Sequence, residues 1–312
     1  MAVPISLTSL RRYPVKSCRG EELPTATVRP WGLDGDRRWM VVDHAGAAIT
    51  AREVNRLLLL DPQLTATGLR VEARDGAAGG AGGAGGAAIA PLEVATPDPA
   101  HQVPVSLWSS RLTAAAAGAE ADAWFSEVLG TDARLVHLDD PTRRPTTPDY
   151  GDEGDVVSLA DGYPLLLATE ESLAAVNDQV LAAAPHGREP LTMTRFRPNV
   201  VVSGAAAWSE DDWRRIRIGD VVLRAVKGCA RCVITTIDPD TAVREKEPVA
   251  AMARIRRFDN KTWFGTNLVP DVPAGGDGVV VRVGDEVEVL DAVEPGAGPL
   301  RVPTRNAVAR AH

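Results

Sequence analysis

Short apolar runs separated by turn-forming residues dominate the first half of the chain. Runs with the composition of strands lie at 37–43, 57–60, 69–72, 89–92, 103–108 and 134–138. Residues 119–129 place apolar side chains at helical spacing, and the following Gly130 is a typical helix-ending residue. The first half is therefore predicted to consist of short strands with one amphipathic helix.

The second half continues this pattern with more strands. Helices are predicted at about 170–184 and 248–256, where longer stretches carry helical periodicity. Strands are predicted near 198–202, 215–218, 221–226, 233–237, 263–268, 278–283 and 286–290. Gly-Asp pairs at 219–220 and 284–285 supply tight turns between them. Many short strands joined by such turns are typical of a β-barrel.

Length and element pattern together predict a two-domain, β-rich α/β protein. A chain of 312 residues is longer than most single-core domains. A polar, proline-bearing stretch, 139–155, separates the two halves. The predicted division is an N-terminal β-barrel-like domain (1–95), a connecting strand-helix-strand segment and loop (96–149), a β-barrel domain (150–292) and a poorly ordered tail (293–312).

Composition and charge exclude several classes of function. The net charge of −8 argues against binding to nucleic acid or to an anionic membrane. No apolar run is long enough to span a bilayer, and no leader peptide precedes the first strand, so a cytoplasmic location is predicted. The glycine-rich run 76–88 contains a formal G-x-G-x-x-G match, but no helix pattern follows it, which indicates a loop instead of a dinucleotide site.

Two of the three cysteines, Cys229 and Cys232, lie on either side of Arg231 in a C-x-x-C pattern. A thiolate near a guanidinium is a soft metal ligand or a nucleophile. A dithiol redox pair would be expected at the start of a helix, whereas a β-branched run follows here. A zinc site would need further cysteines or paired histidines. Two small buried side chains remain an alternative on composition alone.

Cations beside small polar groups occur in three further segments. Lys16 and Ser17 lie in one turn, Arg37 begins a predicted strand, and Arg195, Arg197 and Asn199 precede another strand. Lysine and arginine are the natural binding groups for phosphate. Each segment by itself is more often a solvated turn, but together they point to an anion.

Five segments occur in the order that is seen in one protein family. They are PVKSC (14–18), GDRRW (35–39), ITARE (49–53), FRPN (196–199) and RCVITTIDPDT (231–241). The chain resembles the MOSC family with its N-terminal β-barrel domain, and within it the amidoxime-reducing components and their bacterial counterparts. The resemblance extends from about residue 7 to residue 290 and implies the fold predicted above.

The resemblance also implies a molybdenum cofactor, Mo-molybdopterin, bound between the two domains. Cys232 matches the family's molybdenum ligand and, with Asp161, is the implied catalytic residue. Asp161 and Ser158 match a loop near the metal, with a looser fit than the other motifs. The implied cofactor-binding residues are Lys16, Ser17, Arg37, Ser158, Arg195, Arg197, Asn199 and Arg231. Cys229 is interpreted as a bystander.

The implied function is a molybdenum-dependent oxidoreductase that reduces N-hydroxylated compounds such as amidoximes, hydroxylamines or N-hydroxylated bases. Its electrons are expected from a separate donor protein, such as a ferredoxin, a flavodoxin or a cytochrome b5-like protein, because three cysteines do not suffice for an all-cysteine iron–sulfur cluster. The alternative is a module that binds, carries or helps to sulfurate the cofactor without turnover of its own. The same residues serve both functions, so the sequence does not separate them.

Overall fold

The computed structural model of the protein describes residues 4–77, 89–147, 149–183, 188–273 and 275–301. Its three α-helices are α1 (Ala119–Leu129), α2 (Glu170–Ala183) and α3 (Val249–Ile255). The strands of the first half are β1 (Ser6–Arg12), β2 (Glu21–Leu23), β3 (Thr25–Arg29), β4 (Gly32–Leu33), β5 (Trp39–Val42), β6 (Leu60–Leu64), β7 (Gly68–Ala73), β8 (Leu92–Ala95), β9 (Gln102–Leu107), β10 (Ser110–Ala116) and β11 (Arg134–His137). The strands of the second half are β12 (Leu165–Thr169), β13 (Val200–Ser203), β14 (Trp213–Ile218), β15 (Val221–Ala230), β16 (Arg257–Phe258), β17 (Lys261–Pro270), β18 (Val279–Arg282) and β19 (Val287–Ala292).

The largest sheet follows the order β19-β14-β15-β17-β12-β13-β1-β2, with β16 paired to β17. A further bridge joins Ser6 of β1 to Glu286, just before β19, so the sheet curves back on itself as a barrel. Its interior contains alternate apolar side chains from both halves of the chain, including Leu7, Leu10, Leu167 and Ile216. The predicted barrel of the second half is thus confirmed, and β1 from the N-terminus completes it.

A second unit contains a sheet of order β5-β11-β10-β9 and a sheet of order β6-β7-β8. Helix α1 covers this unit and buries Phe125 and Val128 among leucines from both sheets. The helix ends at Gly130, whose φ of 66° lies in the left-handed region that favours glycine. The predicted helix is confirmed at both ends.

Helices α2 and α3 lie outside the barrel and pack against each other, while α2 also contacts β12 and β13 and α3 contacts β17. A separate apolar cluster fills the space beneath them, in which the rings of Phe196 and Phe264 stack with centroids 3.9 Å apart. This cluster fixes the segment that precedes β13, and that segment carries Arg197 and Asn199. Within the described residues no helix has the length and apolar character needed to cross a membrane.

Two predicted strands fold as 3-10 helices instead, and the predicted strand at 89–92 lies ahead of β8 except for its last residue. Residues 233–237 form a 3-10 helix over Val233–Thr236, and residues 57–60 end a 3-10 helix over Asn55–Leu59 before β6 begins at Leu60. In the first case, the backbone N–H and the hydroxyl of Thr235 both donate to the carbonyl of Cys232, at 3.2 and 3.0 Å. These local hydrogen bonds override the β propensity of the run.

Sheet pairing crosses the predicted domain boundaries. The segment 96–149 supplies β9, β10 and β11, which form one sheet with β5 of the first domain. Residues 293–301 of the predicted tail contact the barrel, since Gly228 donates its N–H to Leu300 and Val293 donates to Asp212. Residues 302–312 and most of the glycine-rich run 76–88 lie outside the described residues.

Candidate functional site

A cavity of about 150 Å³ opens where the two units meet. Its wall is formed by the turn after β1, the segments before and after β5, β12 with the loop before it, the segment before β13, β17, and the end of β15 with the 3-10 turn that follows. Of the ten residues predicted for the site, eight contribute to its wall, namely Lys16, Ser17, Arg37, Asp161, Arg197, Asn199, Arg231 and Cys232. The fold therefore brings together residues that are up to 216 positions apart in the sequence.

Backbone conformation marks the same place. Ser17, Arg37 and Arg197 have φ values of 70°, 46° and 57°, which is the left-handed region that L side chains rarely adopt. Such conformations cost about 1–3 kcal/mol each and persist where the surrounding structure enforces them, often at functional sites. Three of them around one cavity indicate that the fold maintains this wall at the expense of stability.

Lys16 and Asp161 form an ion pair on one side of the cavity. The ammonium of Lys16 lies 2.5 Å from Asp161 Oδ1 and 3.0 Å from the carbonyl oxygen of Leu159. Burial lowers the pKa of Lys16 to about 8, although Asp161 opposes this shift. Partial burial works to raise the pKa of Asp161, but Lys16 and the nearby guanidinium groups of Arg52 and Arg37 outweigh it and hold this pKa below its usual range.

Arg37 and Asn199 form another part of the wall, around the buried carboxylate of Asp36. Arg37 Nη1 donates to Asp36 Oδ2 at 2.6 Å and to Asn199 Oδ1 at 3.0 Å. Asn199 in turn donates to Asp36 Oδ1 at 3.1 Å. The guanidinium groups of Arg37 and Arg197 both stack on the ring of Tyr13, each 4.3 Å from its centroid. Asp36 and Tyr13 thus hold two arginines side by side despite their like charges.

The two thiols line the wall at the end of barrel strand β15, in different surroundings. Arg231 Nη1 donates to Cys229 Sγ at 2.9 Å, and its Nη2 donates to the carbonyl of Phe196 at 2.6 Å. Cys232 precedes the 3-10 turn, and within the described residues its Sγ has no hydrogen-bonding partner. Arg231 therefore contacts Cys229, the thiol interpreted from the sequence as a bystander, and not its neighbour Cys232.

Two predicted residues do not line the cavity. Arg195 is buried and turns towards the acidic residues after the 3-10 turn, where Nη2 lies 2.6 Å from Asp238 Oδ2 and 2.9 Å from Glu245 Oε2. Ser158 is fully buried beneath the loop, and its hydroxyl has no partner among the described residues. The sequence indicated the right segments in both cases, but it contained no information on where these side chains point.

Among the charged and thiol-bearing residues of the wall, two were not predicted as site residues. Arg52 donates from Nη2 to Asp161 Oδ2 at 3.0 Å, and it lies within the ITARE segment, which was the available signal. Cys229 also lines the cavity. A third unpredicted residue, Arg144, lies behind the loop and donates to the carbonyls of Ser158, Ala160 and Asp161. Nothing in its own sequence neighbourhood distinguishes Arg144 from the adjacent Arg143.

The donor set of the cavity fits an anionic ligand that carries a soft metal. Its wall carries five cationic side chains, from Lys16 and four arginines, against the single carboxylate of Asp161. Arg231 Nε is buried and has no partner among the described residues, so a cationic donor remains available there. Two thiols provide sulfur, the donor that soft metals prefer. A molybdopterin, with its phosphate and its metal, matches both properties.

Comparison with known proteins is consistent with this site. The family model described as the MOSC N-terminal beta barrel domain matches residues 5–132, and the model of the MOSC domain matches residues 154–288. Mitochondrial amidoxime-reducing component 1 of Homo sapiens is 30% identical over 296 residues, which is 89% of this chain and 81% of that protein. Mitochondrial amidoxime reducing component 2 of Rattus norvegicus is 33% identical over 258 residues, or 79% and 71% of the two chains.

A third relative is the molybdenum cofactor sulfurase of Oryza sativa subsp. japonica. It is 28% identical over 278 residues, which is 85% of this chain but only 32% of that protein. The first of the two family models extends past residue 95, where the N-terminal domain was predicted to end. This agrees with the sheet that joins β5 to β9, β10 and β11.

Proposed function

The chain belongs to the MOSC-domain family. We propose that it is a molybdenum-dependent oxidoreductase that reduces N-hydroxylated compounds such as amidoximes, hydroxylamines or N-hydroxylated bases. Membership in this family links the chain to the molybdenum cofactor. The finer proposal rests on one observation, that five cations, two thiols and one carboxylate line the same cavity. The amidoxime-reducing relatives support the choice of substrate class.

We assign the residues of the cavity to cofactor binding as follows. Lys16, Arg37 and Arg197 carry the charge that would bind the phosphate and pterin, and Arg231 provides a free buried N–H nearby. Cys232 would provide sulfur to the metal, because its Sγ has no other hydrogen-bonding partner among the described residues. When bound, the cofactor supplies a two-electron redox centre.

The ion pair at the cavity would orient the substrate hydroxyl and supply a proton to it. Reduction of an N–OH group to N–H releases water and consumes two electrons and two protons. Asp161 is half-exposed and ionised, so its carboxylate can accept a hydrogen bond from the substrate hydroxyl and orient it. Lys16, with a pKa of about 8, holds a proton next to this carboxylate in the range in which protein proton donors work efficiently.

The electrons would come from a separate protein. The chain contains only three cysteines, whereas an all-cysteine iron–sulfur cluster needs four thiolates. We therefore propose a ferredoxin, a flavodoxin or a cytochrome b5-like protein as the donor, and a small molecule as the substrate.

Turnover with a chemical electron donor tests the proposal without knowledge of the natural donor. Protein that has been produced in a cofactor-synthesising host and verified to contain molybdenum is mixed with reduced methyl viologen and an amidoxime. We expect formation of the amidine, measured by chromatography. Addition of the amidoxime should also abolish the Mo(V) electron paramagnetic resonance signal. No turnover of any N-hydroxylated compound by molybdenum-loaded protein would refute the function.

The similarity to a molybdenum cofactor sulfurase favours a second candidate, a module that binds or carries the cofactor. Such a module would bind cofactor tightly and show no change in the Mo(V) signal when substrate is added. The same titration therefore distinguishes the two functions.

A further inference from the structure

Trp108 is an exposed aromatic residue beside the cofactor cavity that the proposed function does not use. It occupies the two-residue turn between β9 and β10, where Leu107 pairs with Ser110. It is 44% exposed, and it is the single aromatic among the large hydrophobic residues that are exposed in the described chain. Its φ of 55° lies in the left-handed region, which is unfavourable for a bulky side chain.

Packing does not explain this placement, because Trp108 belongs to none of the apolar clusters of the described residues. Its contacts are instead with polar groups of the site. The guanidinium of Arg52 stacks 4.1 Å from the centre of the indole, and Nε1 donates to Asp161 Oδ1 at 3.4 Å. The indole is thus fixed at the edge of the proposed site by the same carboxylate that faces the cofactor cavity.

A second cavity of about 390 Å³ lies on the other side of Asp161. Asp161 and Gly162 line both cavities, so the two adjoin at this loop. Its wall combines the indole with hydroxyl groups, which come from Ser109, Ser110, Thr146 and Thr147. A flat aromatic surface surrounded by groups that both donate and accept hydrogen bonds suits a planar ring that contains nitrogen.

We propose that this second cavity is a substrate subsite that binds a planar heteroaromatic ring by stacking on Trp108, with the N-hydroxyl group directed past Asp161 towards the cofactor cavity. The proposal rests on the proposed function, because it concerns the substrates of that site. An aliphatic substrate has neither the flat face nor the ring nitrogens, so it gains nothing from this subsite. Trp108 is therefore a specificity-determining residue.

Trp108→Asn and Trp108→Phe form a matched pair for the test. Asparagine tolerates the left-handed turn and removes the ring, while phenylalanine keeps a flat ring at the same position. Val283→Asn is the control, since Val283 is 43% exposed and lies in the turn after β18. Each holoenzyme is assayed with N6-hydroxyadenine, a planar heteroaromatic compound, and with acetamidoxime, a small aliphatic one.

The measured quantity is the ratio of kcat/KM for N6-hydroxyadenine to kcat/KM for acetamidoxime. We expect this ratio to fall about tenfold in Trp108→Asn, mainly through KM, because stacking of one base on one aromatic side chain is lost. Trp108→Phe and Val283→Asn should stay within about threefold of the wild type, a difference well below the stacking contribution. An unchanged ratio in Trp108→Asn overturns the subsite.

Calorimetric titration with adenine, the dehydroxylated product, separates this inference from the proposed function. Binding of adenine needs no turnover and no electron donor. If no N-hydroxylated compound reacts, the proposed function fails, and the subsite is then judged by adenine alone. About tenfold weaker binding to Trp108→Asn than to wild type supports the subsite, and equal binding overturns it.

Discussion

The two thiols of the cavity differ at the level of single atoms. Cys229 Sγ accepts a hydrogen bond from Arg231 at 2.9 Å, which directs the guanidinium and the sulfur towards each other. Cys232 Sγ has no such partner within the described residues and lies at the start of the 3-10 turn. A metal that approaches the wall would therefore meet an uncommitted sulfur at Cys232 and a sulfur already engaged at Cys229.

Separate alanine substitutions of these cysteines should consequently have unequal effects. We expect Cys232→Ala to lower turnover by more than about 100-fold, because loss of a metal ligand should exceed the effect of losing a residue that merely supports one. Molybdenum content and the Mo(V) signal, measured by mass spectrometry and paramagnetic resonance, should also change. Cys229→Ala should retain both. Unchanged molybdenum content together with an unchanged Mo(V) signal in Cys232→Ala would contradict the ligand assignment.

Glu210 is a buried carboxyl group far from the proposed chemistry, and it makes the stability of the protein depend on pH. Its Oε2 accepts hydrogen bonds from Ser172 at 3.0 Å and from Thr169 at 3.3 Å, while Oε1 has no partner among the described residues. Burial raises the pKa of Glu210 to about 7. At this site the folded protein thus binds a proton more tightly than the unfolded chain does, so the contribution of Glu210 to stability is lost as pH rises from about 4.5 to about 7.

Replacement of this carboxyl group by an amide should remove the part of the pH dependence that Glu210 contributes. Glu210→Gln stays neutral and keeps an oxygen that can accept from Ser172. We compare the free energy of unfolding of Glu210→Gln with that of wild type at each pH. From the size of the pKa shift, we expect this difference to rise in favour of the variant by about 3 kcal/mol between pH 4.5 and pH 7.5. Urea unfolding at several pH values measures this, with the exposed Glu120→Gln as control. Parallel pH curves for Glu210→Gln and wild type would show that Glu210 is not the group responsible.

For single residues, the sequence predicted well which residue types form the site, but it predicted poorly where their side chains point. Lys16 and Arg37 were selected because lysine and arginine bind anions, and both line the cavity. Arg195 was selected for the same reason, yet it pairs with Asp238 and Glu245. The difference depends on acidic partners more than 40 positions away, which no local pattern contains. The left-handed backbone at Ser17 and Arg197 was equally unpredictable, since neither residue is glycine.

Among the structural elements, the loop before β12 matters most for the site because it carries Asp161. This loop is not part of a helix or sheet, and the side chain of Arg144 donates hydrogen bonds to its backbone carbonyls. Arg144 Nη1 donates to the carbonyls of Ser158 and Ala160, and Nη2 donates to the carbonyl of Asp161 at 3.1 Å. Burial lowers the pKa of Arg144 to about 10, which still leaves the guanidinium charged at neutral pH.

Loss of this guanidinium should therefore disturb both stability and activity. Arg144→Met leaves three loop carbonyls without their donor. We therefore expect the free energy of unfolding to fall by about 3 kcal/mol. Displacement of Asp161 should also reduce kcat. Arg143→Met is the matched control, because Arg143 is partly exposed and its ion pair with Asp139 should contribute about 0.5 kcal/mol or less. Thermal unfolding and turnover are measured for both variants; equal effects of the two would contradict a special role for Arg144.

Elements with clear end signals were predicted correctly, and elements that depend on local side-chain bonding were not. Helix α1 follows from its periodicity and from the glycine after it. The run 233–237 has strand composition but folds as a 3-10 turn, since the hydroxyls of Thr235 and Thr236 each donate to the carbonyl three residues before them. Threonine hydroxyls can support either conformation, so composition alone could not decide between them.

At the scale of the whole molecule, the two units share strands instead of meeting at a simple interface. Strand β1 pairs with β13 and β2, and β3 pairs with β18, so the N-terminal segment is part of the barrel formed by the second half. The chain then continues from β1 directly into the turn that carries Lys16. The cationic cavity of an otherwise acidic protein lies at this crossing. Integrity of the site therefore depends on both units being folded together.

This arrangement predicts that the chain unfolds in a single transition. If β1 binds the units into one cooperative structure, a buried leucine in either unit should shift the same midpoint. Leu10→Ala in β1 and Leu135→Ala in β11 are matched, since both side chains are fully buried. We expect each to lower stability by about 2–5 kcal/mol, the usual cost of such a truncation. Urea unfolding followed by tryptophan fluorescence and by far-ultraviolet circular dichroism should give coincident curves for both variants. Two resolved transitions, of which Leu10→Ala moves one and Leu135→Ala moves the other, would show that the units fold independently and that the shared strands do not couple them.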